Sequence, residues 1–212
     1  MKQKVHAGHL GINTCLRRAR DLIFWPAMSR DIRHYVESCK TCAINMSKQS
    51  PEPVLLHEIP ARPWQKIGTD IFQVQGQSYL VTCDYHSNFI EVDFLPDLSA
   101  QSVVTKLKHH FARYGIPDTV VSDSGSQYTS DTFKKFAKDW GFQDIMSSPG
   151  NHQANGEAEA AVKIIPRPFL KCRATHEDPY LGLLNLRNAP TEGMSTSPAQ
   201  RMIDRRTNSD LP

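Results

Sequence analysis

Four residues constrain this chain more than any others: His6, His9, Cys39 and Cys42. Two imidazoles and two thiolates form the tetrahedral nitrogen and sulfur set that Zn²⁺ prefers. The spacings H-x-x-H and C-x-x-C each place two ligands on one short turn, so two turns suffice to close a site. Between them, residues 10–38 have room for two short helices. Apolar positions recur at Leu16, Ala19 and Ile23, and again at Ile32, Tyr35 and Val36, with Pro26 interrupting the two runs. A module of about 50 residues gains little from core burial alone, and a structural metal supplies the deficit. The order His-His before Cys-Cys differs from the Cys-first ββα finger and predicts a small all-α zinc-binding domain. His34 is a further imidazole, but it lies on the helix before the C-x-x-C and is left out of the set. The competing reading is two unrelated buried thiols and two surface histidines.

Charge follows the same division. Residues 1–50 hold nine Lys/Arg against three Asp/Glu, within a 212-residue chain whose formal net charge is +3. A basic head therefore precedes a slightly acidic body, and basic modules often meet nucleic acid. No apolar run approaches the ~18 residues of a membrane span, and no signal-peptide pattern opens the sequence. No membrane partner is expected. Five cysteines, an odd number, argue against a disulfide framework. Beyond Cys39 and Cys42, the thiols of Cys15, Cys83 and Cys172 have no assigned role.

The body reads in order. Pro51, Pro53, Pro60 and Pro63 mark an extended linker over 51–65. Three strand-like runs follow, at 66–74, 78–84 and 89–95, turned at Gly76 and at Ser87–Asn88 and paired as an antiparallel meander. Val103, Val104, Leu107 and Phe111 share one helix face. A strand at 119–121, a helix carrying Phe133, Phe136, Ala137 and Trp140, and a strand near 142–145 come next. The loop 147–156 leads to a helix at 156–165, which meets Pro166 and Pro168, and a last helix is predicted over 179–188. The order β-β-β-α-β-α-β-α predicts an α/β domain with a mixed five-stranded sheet, as in ribonuclease H-like folds.

Three carboxylates stand out within that order. Asp70 lies inside the first strand among apolar neighbours, where a charge is costly unless paired or bound to a cation. Asp123 follows the fourth strand directly. Glu159 sits in the first turns of the helix after the 147–156 loop, with thirty-five residues between it and Asp123. Three acids so placed suit Mg²⁺ or Mn²⁺, which take oxygen ligands and leave positions open for phosphate and water. Two such ions activate an attacking oxygen and stabilise a leaving one. Spacing alone leaves Asp84, Asp93 and Glu157 as alternatives, and Asp123 or Glu159 taken singly reads equally well as a turn or surface residue.

The stretch H-A-G-H-L-G-I…F-W-P-A-M-S-R-D-I…C-K-T-C resembles the integrase zinc-binding domain of long-terminal-repeat retroelements. G-T-D-I-F (68–72), Y-L-V-T-C-D-Y (79–85), G-I-P-D-T-V-V-S-D-S-G-S-Q-Y (115–128), S-S-P-G-N-H-Q-A-N-G-E-A-E (147–159) and S-P-A-Q-R-M (197–202) resemble the rest of such an integrase, with the spacing D, D-35-E as its signature. The Ty3/gypsy-type retrotransposon integrases are the nearest match in pattern. The resemblance implies metal-dependent 3′-end processing of DNA and strand transfer. Asp70, Asp123 and Glu159 would hold two Mg²⁺ or Mn²⁺ ions, and His6, His9, Cys39 and Cys42 would hold zinc. Lys163 would meet phosphates of the element end, and Gln153 and Asn155 would meet DNA from the loop. The implied partners are double-stranded DNA and further copies of the chain, and the implied location is the nucleus.

Some positions depart from that pattern. Family members usually carry Asn where this chain has Ser124, Arg where it has Ala160, and a basic residue where it has Pro166. An interior Pro costs a helix about 3 kcal/mol. The alternative is therefore a catalytically decayed or host-captured nucleic-acid-binding module. The expected divisions are a zinc domain at 1–50, a linker at 51–65, a ribonuclease H-like core at 66–173 and a helical tail at 174–212. With so little chain on either side of these parts, the expectation is two domains of a longer machine.

Overall fold

The computed structural model describes residues 1–20, 22–44, 59–146, 166–175, 177–191 and 193–209. The chain forms two compact units. One joins Met1–Pro51 to Pro166–Pro212, and the other is Glu52–Ile165.

The first unit opens with α1 (Lys2–Val5), α2 (Ile12–Arg20), α3 (Met28–Glu37) and α4 (Lys40–Ile44). Cys15, Leu16 and Ala19 of α2 are buried, as are Met28, Ile32 and Val36 of α3. The spacings of three and four residues put each set on one helix face. The break at Pro26 is completed by Ala27, whose φ of 62° starts α3 from a left-handed residue. Val5 and Leu10 close the same core cluster.

The second unit is built on a sheet. β1 (Lys66–Val74), β2 (Gln77–Asp84) and β3 (Ile90–Leu95) pair antiparallel, with Asp70 opposite Val81 and Val81 opposite Val92. The two residues between β1 and β2, Gln75 and Gly76, have φ of 50° and 73°. Positive φ at both positions is the type I′ turn that matches strand twist. The chain then forms α5 (Ala100–Tyr114), β4 (Thr119–Ser122), α6 (Ser126–Thr129), α7 (Asp131–Trp140) and β5 (Gln143–Met146). β4 runs parallel to both β1 and β5, so the order across the sheet is β3-β2-β1-β4-β5. This is the mixed five-stranded sheet that the element order predicts.

Helix ends are set by local chemistry. Ser99 caps α5 by accepting the Ser102 N–H, and Ser130 caps α7 by accepting the Phe133 N–H. Val103, Val104, Leu107 and Phe111 of α5 are buried as expected. Phe111 stacks on Phe136 at 5.6 Å between ring centroids, and Phe142 meets Phe136 at 5.0 Å. Burying each such ring stabilises the unit by about 1.5–3 kcal/mol.

The chain returns to the first unit through α8 (Pro166–Ala174), α9 (Pro179–Asn188) and α10 (Pro198–Ile203). Sequence reasoning treats Pro166 and Pro168 as obstacles inside a helix, yet α8 begins at Pro166. Both prolines then sit in its first turn, where the N–H groups have no intrahelical acceptor to lose. The expected division between core and tail at 173/174 also differs from the structure. The helix α8 crosses it, and the division into units groups Pro166–Pro212 with Met1–Pro51. Asp178 caps α9, and Ser197 with Gln200 forms a capping box on α10. The helix predicted at 156–165 lies outside the described residues. No helix among the described residues is long and apolar enough to cross a membrane.

Candidate zinc and acidic sites

In the first unit, the sequence places the four ligands on two turns. His6 caps the end of α1, and the His9 N–H donates to the His6 carbonyl at 2.9 Å. Gly8 and His9, with φ of 75° and 54°, fold the backbone back between the two imidazoles. Cys39 precedes α4 and Cys42 lies within it. The ligand atoms of all four residues lie within 4.8 Å of one another. Cys39 Sγ is 3.4 Å from His9 Nδ1, Cys42 Sγ is 3.5 Å from His6 Nε2, and Cys42 Sγ is 3.7 Å from His9 Nδ1. Tetrahedral zinc with ordinary Zn–S and Zn–N bonds requires sulfur–nitrogen edges of about 3.6 Å. These three edges match it, and all four ligand atoms lie close enough together to share one zinc ion.

Protonation agrees with that fit. His6 Nδ1 donates to the Leu10 carbonyl at 3.1 Å, which leaves the Nε2 lone pair toward the cysteines. Burial, aided by the neighbouring His9, lowers the His6 pKa to about 4. Burial also lowers His9, against the pull of Glu177. Both imidazoles are thus held neutral, as ligands must be. Burial pushes the Cys42 thiol up and the Lys171 ammonium draws it down. His34, left out on sequence grounds, is exposed on α3 and outside the ligand group. Cys15 is buried, donates to the Leu10 carbonyl at 3.3 Å, and lies 3.8 Å from His6 Nδ1.

In the second unit, Asp70 occupies the middle of β1, the central strand, and is partly buried. Asp123 follows the last residue of β4, the parallel neighbour of β1, and is exposed. Burial pushes the Asp70 carboxyl above its ordinary range, the Ile71 N–H opposes this, and the Asp123 charge adds to it. The Ile71 N–H donates to Asp70 Oδ1 at 2.7 Å, and the Gly125 N–H donates to Asp123 Oδ1 at 3.0 Å. Each carboxylate keeps its second oxygen clear of donors among the described residues. That is the oxygen-rich arrangement that hard divalent cations suit. A Cβ on Gly125 would lie 2.9 Å from Asp123 Oδ1, so a side chain there would displace that carboxylate. Tyr128, which sequence reasoning gave no role, is buried and shares a 3.2 Å hydroxyl contact with Thr69, beside Asp70.

The structure also resolves two of the open alternatives. Asp84 is fully buried and accepts the backbone N–H groups of Trp64 and Ser87, each at 2.9 Å, and the Ser87 hydroxyl. It organises the β2–β3 turn. Asp93 pairs with the fully buried His110 at 2.5 Å and with Lys106 at 3.8 Å. Glu157 and Glu159, together with Gln153, Asn155 and Lys163, lie outside the described residues.

A helical His₂Cys₂ zinc module accompanying a ribonuclease H-like domain with paired carboxylates defines a recognisable class of two-domain protein. The chain belongs to the integrase family: the Integrase zinc binding domain matches residues 2–48 and the Integrase core domain matches residues 60–152. The family implies structural zinc on the His₂Cys₂ set and a catalytic divalent cation on the core.

An uncharacterised protein of Caenorhabditis elegans is 29% identical over 172 residues, covering 81% of this chain. The Transposon Tf2-3 polyprotein of Schizosaccharomyces pombe is 26% identical over 197 residues, covering 86% of this chain. The chain spans 14% of the length of each of these relatives. Among solved structures, the catalytic core of BIV integrase is 19% identical with a TM-score of 0.56, covering 66% of this chain and 95% of that one. The integrase fold also recurs in a simian T-cell lymphotropic virus intasome complexed with a PP2A regulatory subunit. There the TM-score is 0.64 and the identity 16%, over 100% of this chain and 76% of the other.

Proposed function

We propose that the chain acts as a retroelement integrase of the Ty3/gypsy type, a polynucleotidyl transferase that processes DNA 3′ ends and joins them to target DNA. One observation carries this reading. Asp70 lies on β1 and Asp123 directly follows β4, the parallel neighbour of β1, within reach of each other's charge in an integrase core. Asp70, Asp123 and Glu159 are the ligands for Mg²⁺ or Mn²⁺. Bound divalent cations would neutralise phosphate charge and lower the pKa of the attacking oxygen. The chain's own residues fix the two carboxylates: the Ile71 and Gly125 N–H groups each hold one oxygen.

Lys163 contacts phosphates of the element end, and Gln153 and Asn155 contact the DNA beside it. The partners are double-stranded DNA and further copies of this chain, and the place of action is the nucleus. A transposon polyprotein among the relatives and an intasome among the similar structures support the DNA and assembly parts.

The test supplies oligonucleotide duplexes carrying element-end sequence with Mg²⁺ or Mn²⁺ and separates cut from joined products on a denaturing gel. Cation-dependent products absent from the Asp70→Asn chain are expected. A folded wild-type chain that yields no more product than Asp70→Asn would overturn the catalytic reading. If that chain still bound DNA, the non-catalytic module would take its place.

A further inference from the structure

The zinc ligands come from residues 6–42, yet several groups that meet them come from the far end of the first unit. His9 turns Nδ1 toward Cys39 and Cys42. Its Nε2 lies 3.3 Å from Thr175 Oγ1 and 3.5 Å from Glu177 Oε2. The Thr175 hydroxyl hydrogen is already committed to a carbonyl of α8, that of Lys171 at 2.9 Å or of Cys172 at 3.3 Å. Thr175 Oγ1 therefore accepts from His9, and so does the Glu177 carboxylate. A proton on Nε2 leaves the Nδ1 lone pair free for metal. Lys171 Nζ donates to the His9 carbonyl at 3.4 Å and lies 3.6 Å from Cys42 Sγ. The ammonium thus faces a sulfur that must become a thiolate to bind zinc.

The backbone under these contacts is fitted as closely. A Cβ on Gly8, inside the H-x-x-H turn, would lie 2.9 Å from Gly182 Cα of α9. A Cβ on Gly182 would lie 2.7 Å from Cys172 Sγ and 3.4 Å from Gly8 Cα. Arg18 of α2 donates to Asn185 of α9 at 2.5 Å and to the Lys4 carbonyl at 3.1 Å. Ala189 belongs to the same core cluster as Val5, Leu16 and Ile32, with Leu186 packed against it.

We propose that Thr175, Glu177 and Lys171 are positioning residues of the zinc site. Thr175 and Glu177 select the His9 tautomer through Nε2, Lys171 holds the His9 carbonyl and the Cys42 sulfur in place, and zinc affinity is set by residues more than a hundred positions beyond the ligands. The proposal rests on the zinc assignment, and not on the catalytic reading of the acidic pair. Partners of this kind on metal-bound histidines are typically worth roughly 10–100-fold in metal affinity.

The test titrates the full-length chain with Zn²⁺ against a chromogenic chelator, and records the absorption bands of the Co²⁺-substituted protein. Thr175→Val combined with Glu177→Gln is expected to weaken zinc roughly 10–100-fold while one ion per chain still binds at saturation. Thr175→Ser, which keeps the hydroxyl, is expected to restore most of the loss. Glu177 is half exposed, so Glu177→Gln alone gives a smaller loss without threatening the fold. The Co²⁺ bands should shift in Thr175→Val but not in Thr175→Ser. Affinity within twofold of wild type in the double variant, or a Thr175→Ser chain as weak as Thr175→Val, would overturn the proposal alone. A folded wild-type chain that takes up no zinc would overturn the zinc assignment and the proposal together.

Discussion

The two units reach stability by different means. The Glu52–Ile165 unit has a five-stranded sheet and an aromatic cluster of Phe111, Phe133, Phe136, Trp140 and Phe142. The other unit has no strand among its described residues, and its main core cluster is aliphatic and sulfur-bearing, with Trp25 only at its margin. It makes up the difference with four metal ligands and a buried Arg18–Asn185 bond. A unit poor in apolar burial needs directional contacts, and directional contacts fail all at once when one partner is removed.

The largest expected effect comes from the metal. Cys42→Ser should abolish tight zinc binding and remove hydrogen-exchange protection from α2, α3 and α9 together, leaving β1–β3 protected. Structural zinc in small modules is worth about 10–16 kcal/mol of apparent binding energy. Equal loss of protection in β1–β3 would erase the contrast between the units. Phe133→Ala tests the other side. Phe133 is fully buried, and the change should cost about 3–5 kcal/mol in denaturant unfolding monitored at the sheet. Zinc content should be unchanged.

Arg18→Met is smaller. It keeps the apolar stem but leaves Asn185 Oδ1 without its donor, for a loss of about 1–3 kcal/mol confined to the zinc-bearing unit. Protection loss in β1–β3 would count against that confinement. The smallest effect is a pH dependence of the sheet. At Asp93, burial raises the carboxyl pKa, but the His110 bond and the Lys106 and Arg113 charges outweigh it, and the net shift is downward. A depressed carboxylate stabilises above its unfolded pKa, and that contribution is lost as pH falls through the folded value. Thermal melts from pH 6 down to pH 2 should therefore fall more steeply in wild type than in Asp93→Asn.

What could be read from sequence follows the reach of each signal. The zinc ligands are legible because each pair lies on one turn. The strands of the core are legible because alternation and turn residues are local, and β1 to β3 pair with their neighbours in sequence. Asp84 and Asp93 read like Asp70, as acids in or beside strands. Contacts arriving from other segments, such as the Trp64 N–H and the His110 ring, show that these two carboxylates are structural. The prolines of α8 are not legible as a helix start, because the cost of a proline depends on where the helix begins, which periodicity does not fix. Nothing near Gly8 or Arg18 announces Gly182 or Asn185. Those contacts are single, aperiodic and well over a hundred residues apart.

The discontinuity of the first unit has a consequence for biosynthesis. Lys171 follows Cys42 by 129 residues, and a ribosome adds roughly 5–20 residues per second. Between the exit of the last zinc ligand and that of the segment facing it, about 6–26 seconds pass. The sheet-bearing unit is translated whole within that interval, so the part of the chain made first is among the last to be finished. Until then His9 and Cys42 lack the Lys171, Thr175 and Glu177 groups that face them in the finished unit. On the role proposed for Lys171, Thr175 and Glu177, full zinc affinity is reached only once those residues have emerged.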